Sequence, residues 1–158
     1  MSAIAHSGRE ARSLVGRAEV ATGLSLAAAG MHLWVLEAHL LEWWAYGGFF
    51  LAAALGQAAF AVLILRATPP WLLLTGIAGN LAIVAMYVLS RTNGPPLGPH
   101  AGRPESAGLL DVACTVAELG VIVALLGLLP ARLAQRTGTL LALIGIGLWA
   151  ARFWGMLL

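Results

Sequence analysis

Histidines and carboxylates occur at helical spacing in two apolar stretches of this sequence. In the first stretch, His32 and His39 are seven residues apart, and Glu42 follows three residues later. In the second stretch, Asp111 and Glu118 are again seven residues apart. Seven residues make about two helical turns, so each set shares one face of a helix. Imidazole and carboxylate together form a ligand set for zinc, copper, iron or nickel, and the pattern therefore predicts a metal site.

The long segment between the two stretches adds a further histidine and a further carboxylate. We expect His100 and Glu105 to cover an outward-opening cavity that the helical residues line. No compact metal-binding signature such as HExxH is present. His32 and His39 are about 10 Å apart along a straight helix, so one ion cannot bind both unless the helix bends. The candidate ligands for a metal or another small cation are His32, His39, Glu42, His100, Asp111 and Glu118.

The elements that would position these residues are transmembrane helices. Of the 158 residues, 60% are hydrophobic and 10% are charged, whereas soluble domains contain about 25% charged residues. Five apolar runs are each near the roughly 20 residues that cross a bilayer as a helix. We predict an all-α, polytopic membrane bundle of five helices with up-down topology. The spans, in a single domain of residues 20–158, are about 20–44, 47–65, 71–89, 108–129 and 139–158.

The segments outside the spans predict the orientation of the bundle. Residues 1–19 have the composition of a polar N-terminal tail, and residues 91–107 form a long loop at the opposite side. Six of the nine arginines lie in the tail or in the two connections on the side of the tail. The positive-inside rule therefore places the N-terminus in the cytoplasm and the long loop outside. Four prolines limit the conformations of this loop and favour an ordered lid.

Polar residues within the spans are informative because burying them in lipid is unfavourable. Asp111, Cys114, Thr115 and Glu118 form a stripe at i, i+3, i+4 and i+7 that runs inward along span four. Glu118 lies near the middle of the bilayer, where an ionised carboxylate needs a partner, a proton or water. We predict a structural ion pair between Glu118 and Arg152 of span five. A purely structural polar network is therefore the alternative to a ligand site.

Other functions are compatible with the same residues. A bis-histidine haem needs two axial histidines at similar depth, and only His32 lies clearly within the hydrocarbon, so haem ranks below a bare metal. A proton-coupled small-molecule transporter would use Glu118 as its proton-binding carboxylate and Arg152 as its modulator. An accessory or scaffold subunit would have no chemistry and would bind a membrane-protein partner or a second copy of itself.

Several classes of function are not indicated by the sequence. There is no nucleophile and base constellation, no Gly-rich phosphate loop and no dinucleotide-binding motif, so we do not predict an enzyme of the soluble type. The net charge of +2 is small and scattered, which argues against nucleic acid as a partner. The single cysteine excludes an intrachain disulfide. The lipid bilayer is therefore the first expected partner.

Three stretches within about Gly30 to Leu125 carry a resemblance to known sequences. They read HLWVLEAHLLEWWAYGGFF, GNLAIVAMYVLSRTNGPPLGPHAG and GLLDVACTVAEL. Together they resemble a group of small multi-span membrane proteins from high-GC Gram-positive bacteria. The resemblance implies a multi-pass protein of the bacterial plasma membrane. It implies no activity, and it therefore assigns no catalytic or cofactor-binding residue.

Overall fold

The protein is all α-helical throughout the part of the chain that the structure describes. The computed structural model describes residues 2–155, with side chains from residue 12 onward. Five helices and no strands occur in this range, namely α1 (Ser2–Glu42), α2 (Trp44–Arg66), α3 (Pro70–Thr92), α4 (Leu109–Leu126) and α5 (Ala131–Phe153). All five are long and apolar enough to cross a membrane. The predicted all-α five-helix architecture is confirmed, and it is that of a multi-pass membrane protein.

Helix α1 is longer than the predicted first span. Its 41 residues extend about 60 Å at 1.5 Å per residue, which is about twice the thickness of the hydrocarbon layer. The described part of the predicted tail, residues 2–19, continues directly into the span because no proline interrupts the helix. The helix ends at Glu42 because the backbone of Trp43 is extended, with φ −165° and ψ 132°. This end lies two residues before the predicted one.

The other boundaries differ from the predicted ones mainly in α5. Helix α3 begins at Pro70, where proline is well tolerated because the first helical N–H has no acceptor within the helix. Helix α5 begins directly after Pro130 at Ala131, eight residues before the predicted span. It ends at Phe153, and residues 156–158 of the predicted span lie outside the described residues.

The core lies between α1, α2, α3 and α4. Helix α1 packs against α2 and α4, and α3 packs against α4. The buried apolar cluster comprises Ala21, Phe60, Ile64, Leu72, Leu73, Ile77, Val121, Ile122, Leu125 and Leu129. Gly76 permits the close approach of α2 to α3, because a Cβ atom at that position would lie 2.4 Å from the ring of Phe60. Side-chain packing in this half of the bundle therefore sets the spacing of the helices that carry the polar residues.

Helix α5 lies at the edge of the bundle. None of its residues is buried, and only Leu133, Ala134 and Leu141 pack partly against the core. Its other large apolar side chains, including Trp149 and Phe153, are exposed. In a bilayer, lipid covers such a surface, so α5 contributes little to the interior where the polar residues meet.

The connection from α3 to α4, residues 93–108, folds over one end of the bundle, which we call the loop end. Its turns are tied together by backbone hydrogen bonds, from Gly102 N to Pro95 O (3.1 Å) and from Glu105 N to Ser90 O (3.1 Å). The Tyr46 hydroxyl of α2 donates to the carbonyl of Leu97 at 2.8 Å. Gly98 has a φ of 91°, and a Cβ atom there would lie 2.6 Å from the Trp43 ring. The predicted long loop is therefore an ordered cover in contact with α1 and α2.

Candidate metal centre

Three side chains of types that can ligate a metal ion meet between α1 and α4. His32 Nε2 lies 3.1 Å from Glu118 Oε1, and Cys114 Sγ lies 3.6 Å from His32 Nε2 and 3.7 Å from Glu118 Oε1. All three residues are buried, with exposed fractions of 5% for His32, 8% for Cys114 and 1% for Glu118. Among the side chains that the structure describes, they form the one group of three or more His, Cys, Asp or Glu donors that could hold an ion. We call this group the triad.

Small side chains allow α1 and α4 to approach closely at the level of the triad. Ala28 on α1 and Ala117 on α4 are buried together with Cys114. Cys114 and Glu118 are four residues apart on α4 and so share one face, one turn from each other. His32 is one turn further along α1 than Ala28, which places its ring opposite this face. The local helical repeat and the alanine contact are therefore sufficient to bring the three side chains together.

A shell of amides supports the triad from α2 and α3. Gln57 Nε2 lies 3.4 Å from both Glu118 Oε1 and Asn80 Oδ1. Asn80 in turn donates to the carbonyl of Gly76 at 2.8 Å, and Ser25 Oγ of α1 donates to the backbone carbonyl of Gln57 at 2.9 Å. All of these side chains are buried. This shell limits the orientations that the Glu118 carboxylate can adopt.

The donor separations in the triad match those around a tetrahedral zinc ion. Zinc bonds of about 2.05 Å to nitrogen, 2.1 Å to oxygen and 2.3 Å to sulfur imply N···O edges of about 3.4 Å and edges to sulfur of about 3.6 Å. The corresponding distances here are 3.1 Å for N···O and 3.6 and 3.7 Å for the two edges to sulfur. Small side-chain rotations would therefore suffice for the three atoms to share one ion, which leaves a fourth position for an external ligand.

A cavity of about 270 Å³ extends from the triad to the loop end. His32, Cys114 and Glu118 all contribute to its lining, so the triad faces the cavity. The remaining walls are mostly apolar and include the aromatic side chains Trp43, Tyr46, Phe49, Phe50 and Tyr87 and the loop residues Pro95, Pro96 and Leu97. A cavity thus lies beneath the loop and is mostly apolar. Of the residues predicted to line or cover it, Glu42 and His100 are not part of its lining.

Asp111 forms an ion pair that the sequence did not indicate. Arg91, at the end of α3, donates to Asp111 Oδ2 at 2.8 Å and to Glu105 Oε2 at 2.5 Å. Asp111 Oδ2 also accepts the backbone N–H of Gly108 at 2.9 Å, at the start of α4. The guanidinium therefore ties the loop to both helices, and Asp111 serves a structural ion pair instead of joining the triad.

The remaining predicted ligands lie at the loop end in other contacts. His39 Nδ1 lies 2.8 Å from the carbonyl of Val35, and its ring packs on Phe50 with centroids 4.1 Å apart. The His100 ring nitrogens lie 3.9 Å from a carboxylate oxygen of Glu42 and 3.9 Å from one of Glu105. The structure therefore brings His32 and Glu118 together, whereas His39, Glu42, His100 and Asp111 lie in separate groups nearer the loop.

Arg152 and Glu118, the predicted structural ion pair, are not brought together. Arg152 is exposed on α5, whereas Glu118 is 1% exposed and contacts His32, Gln57 and Cys114. The reason is the position of α5, which lies at the edge of the bundle and buries no residue between the other helices.

Two residues of the site, Cys114 and Arg91, are not among the predicted ligands. Cys114 lies in the polar stripe of span four, four residues before Glu118, and this spacing was the available signal. The predicted boundaries place Arg91 in the long outer loop, whereas α3 continues to Thr92 and brings Arg91 level with Asp111. Comparison with models of known protein families, with curated proteins and with solved structures found no match.

Proposed function

We propose that the protein is a membrane-embedded metal-binding protein whose centre is His32, Cys114 and Glu118. The observation that carries the proposal is the convergence of an imidazole, a thiol and a carboxylate within 4.8 Å of one another in a buried site. Zinc or a similar divalent transition metal fits this donor set, because nitrogen and sulfur ligands select such ions over magnesium and calcium. The proposal keeps two of the six predicted ligands and adds Cys114.

The charge of the loaded site supports a divalent ion. A thiolate and a carboxylate together carry two negative charges, and a neutral imidazole carries none. A dication would therefore make the centre neutral overall, which matters because an uncompensated charge in a membrane interior is strongly unfavourable. A monovalent ion on the same ligands would leave a net negative charge. The net charge thus favours zinc-like dications over monovalent copper.

The location of the protein forms part of the proposal. The membrane would be the plasma membrane of a high-GC Gram-positive bacterium, with the loop end outside. This rests on the sequence resemblance and on the arginines, six of which lie toward the opposite side of the bundle. A reporter fused after Arg66 and one inserted at Arg103 would report opposite sides of the membrane, and equal signals from the two would contradict the orientation.

Metal analysis of the purified protein tests the proposed function. We expect about one divalent transition-metal ion per chain, and His32→Ala should weaken zinc binding at least about a hundredfold. His39→Ala is the matched control, because it makes the same change one heptad away on the same helix, where the ring contacts Phe50 and the Val35 carbonyl. This control should bind zinc within about threefold of the wild type. Equal affinities of the two variants would refute the triad as the centre.

A further inference from the structure

The cavity above the triad is larger and more apolar than a bound cation requires. An ion and one or two water molecules need well under 100 Å³, since a water molecule occupies about 30 Å³ in the liquid, whereas this cavity holds about 270 Å³. A dry apolar cavity of about 150 Å³ in another protein is large enough for benzene. At the same cavity volume per non-hydrogen atom as for benzene, the cavity here corresponds to a molecule of about eleven non-hydrogen atoms.

The walls indicate the chemistry of such an occupant. Phe50 lies beside the centre, with its ring centroid 5.7 Å from that of His32, and Tyr46, Phe49 and Tyr87 continue the lining toward the loop. Aromatic side chains favour an aromatic ring in offset or edge-to-face contact. Met31 and Met86 also line the cavity, and thioether sulfur packs favourably against rings. The enclosure is thus suited to a flat aromatic molecule.

The charge of the site limits the occupant to a neutral molecule. The loaded centre would be neutral overall, and the nearby guanidinium of Arg91 is already held by Glu105 and Asp111. An anionic ligand in this apolar space would therefore be buried without a free counter-ion, and a protonated, cationic donor atom has no lone pair to offer the metal ion. Three protein ligands leave one tetrahedral position on the metal, and that position faces the cavity because all three ligands line it.

We propose that the cavity binds a small neutral aromatic molecule whose nitrogen or oxygen donor occupies the fourth position of the metal. This inference rests on the proposed metal centre. Binding forms one bond from a ligand lone pair to the ion, releases the water molecule that would otherwise hold that position, and changes no oxidation state. The aromatic ring lies between Phe50 and the side chains of α3, beneath the loop. The site is therefore specific for the shape and polarity of an organic ligand as well as for its donor atom.

A pair of probes with the same donor tests the inference on the cobalt-loaded protein. Imidazole and 4-phenylimidazole offer the same nitrogen, but the second adds a phenyl ring and has eleven non-hydrogen atoms. Titration followed by the visible absorption of cobalt should show 4-phenylimidazole binding about tenfold to a hundredfold more tightly. The variant Ala45→Trp fills the cavity from α2 and should reduce this ratio to below about threefold, while imidazole still binds.

The matched control for this variant is Ala52→Trp, on the exposed side of the same helix. It should leave the ratio of the two affinities unchanged, which also controls for partitioning of the probe into detergent. Ile83→Trp fills the cavity from α3 and replaces Ala45→Trp if that variant does not fold. Equal affinities of the wild type for both probes, or a ratio that neither filling variant lowers, would overturn the inference.

A measurement on metal-free protein separates the two proposals. The fluorine resonance of 4-(4-fluorophenyl)imidazole should broaden with metal-free wild type and with Ala52→Trp, but not with Ala45→Trp. Protein that binds no cobalt but broadens the resonance in this pattern would refute the metal centre and retain the aromatic site. Protein that binds cobalt without discriminating between the probes would refute the aromatic site alone. Failure of both measurements would overturn both proposals.

Discussion

Replacing Cys114 by serine separates a metal centre from a hydrogen-bonded polar network. Serine preserves a small polar side chain, and its hydroxyl can still donate to Glu118. It supplies no thiolate, so a bound dication would lose one bond and the site would gain a net positive charge. Structural zinc sites with four protein ligands have apparent binding free energies of about 10–16 kcal/mol, or about 2.5–4 kcal/mol per ligand. Loss of one ligand should therefore weaken binding about a hundredfold to a thousandfold.

Cobalt substitution provides the assay for Cys114→Ser. Cobalt bound to a thiolate has a near-ultraviolet charge-transfer band, which oxygen and nitrogen ligands do not produce. The wild type should show this band at one ion per chain, Cys114→Ser should lack it, and Thr115→Ser, a change at the next residue, should retain it. Competition with a chromophoric chelator gives the affinities. An unchanged band in Cys114→Ser, or an affinity within threefold of the wild type, would refute ligation by Cys114.

Three further predictions concern stability and the loop. Gly76→Ala should destabilise the protein by about 1–3 kcal/mol, because its Cβ would overlap the Phe60 ring. Gly79→Ala is the control and should not destabilise the protein, because there is open space at that position. Thermal unfolding of the two variants measures the difference, and equal melting temperatures would contradict the prediction. Arg91→Gln should increase hydrogen exchange in residues 93–108 because the loop loses the ion pair of Glu105, and α4 loses that of Asp111 beside the loop. Arg103→Gln is the control, and equal protection in the two variants would contradict a role of Arg91 in holding the loop. Zinc at a hundred times its Kd should stabilise the protein by about 2.7 kcal/mol. The zinc affinity should fall at low pH, because the ligands must lose their protons to bind the ion. A melting temperature that does not change with zinc would count against the metal centre.

The fold was predictable because the signals for membrane helices are local. Apolar runs of about 20 residues and the scarcity of charge are properties of each segment alone. The extent of α1 was harder to predict, since Arg12, Arg17 and Glu19 resemble a polar tail although the backbone there continues as one helix. Arg17 instead donates to the carbonyl of Gly127 at the end of α4, a contact between distant parts of the chain that no local pattern indicates.

The candidate site was predictable in part, because helical periodicity gives the face of a side chain but not its neighbour. The heptad spacing placed His32 and Glu118 on faces that could meet, and they do. The same spacing placed His39 and Asp111 on those faces too, yet they lie in other contacts. Which of these residues enter the triad depends on the positions of α3 and the loop. The packing of all four core helices sets those positions.

Arg91 explains why Asp111 does not join Glu118 in the triad. Carboxylates near the loop end have a cation within reach, and the arginine pairs with Glu105 and Asp111. Glu118, two turns deeper than Asp111 on the same helix, is beyond this guanidinium and contacts His32, Cys114 and Gln57 instead. Depth along α4 thus divides the stripe into an end that pairs with Arg91 and an end that belongs to the triad. A double substitution of Arg91 and Glu105 should therefore loosen the loop and leave zinc affinity within about threefold, whereas dependence of that affinity on Arg91 would show that the two ends form one site.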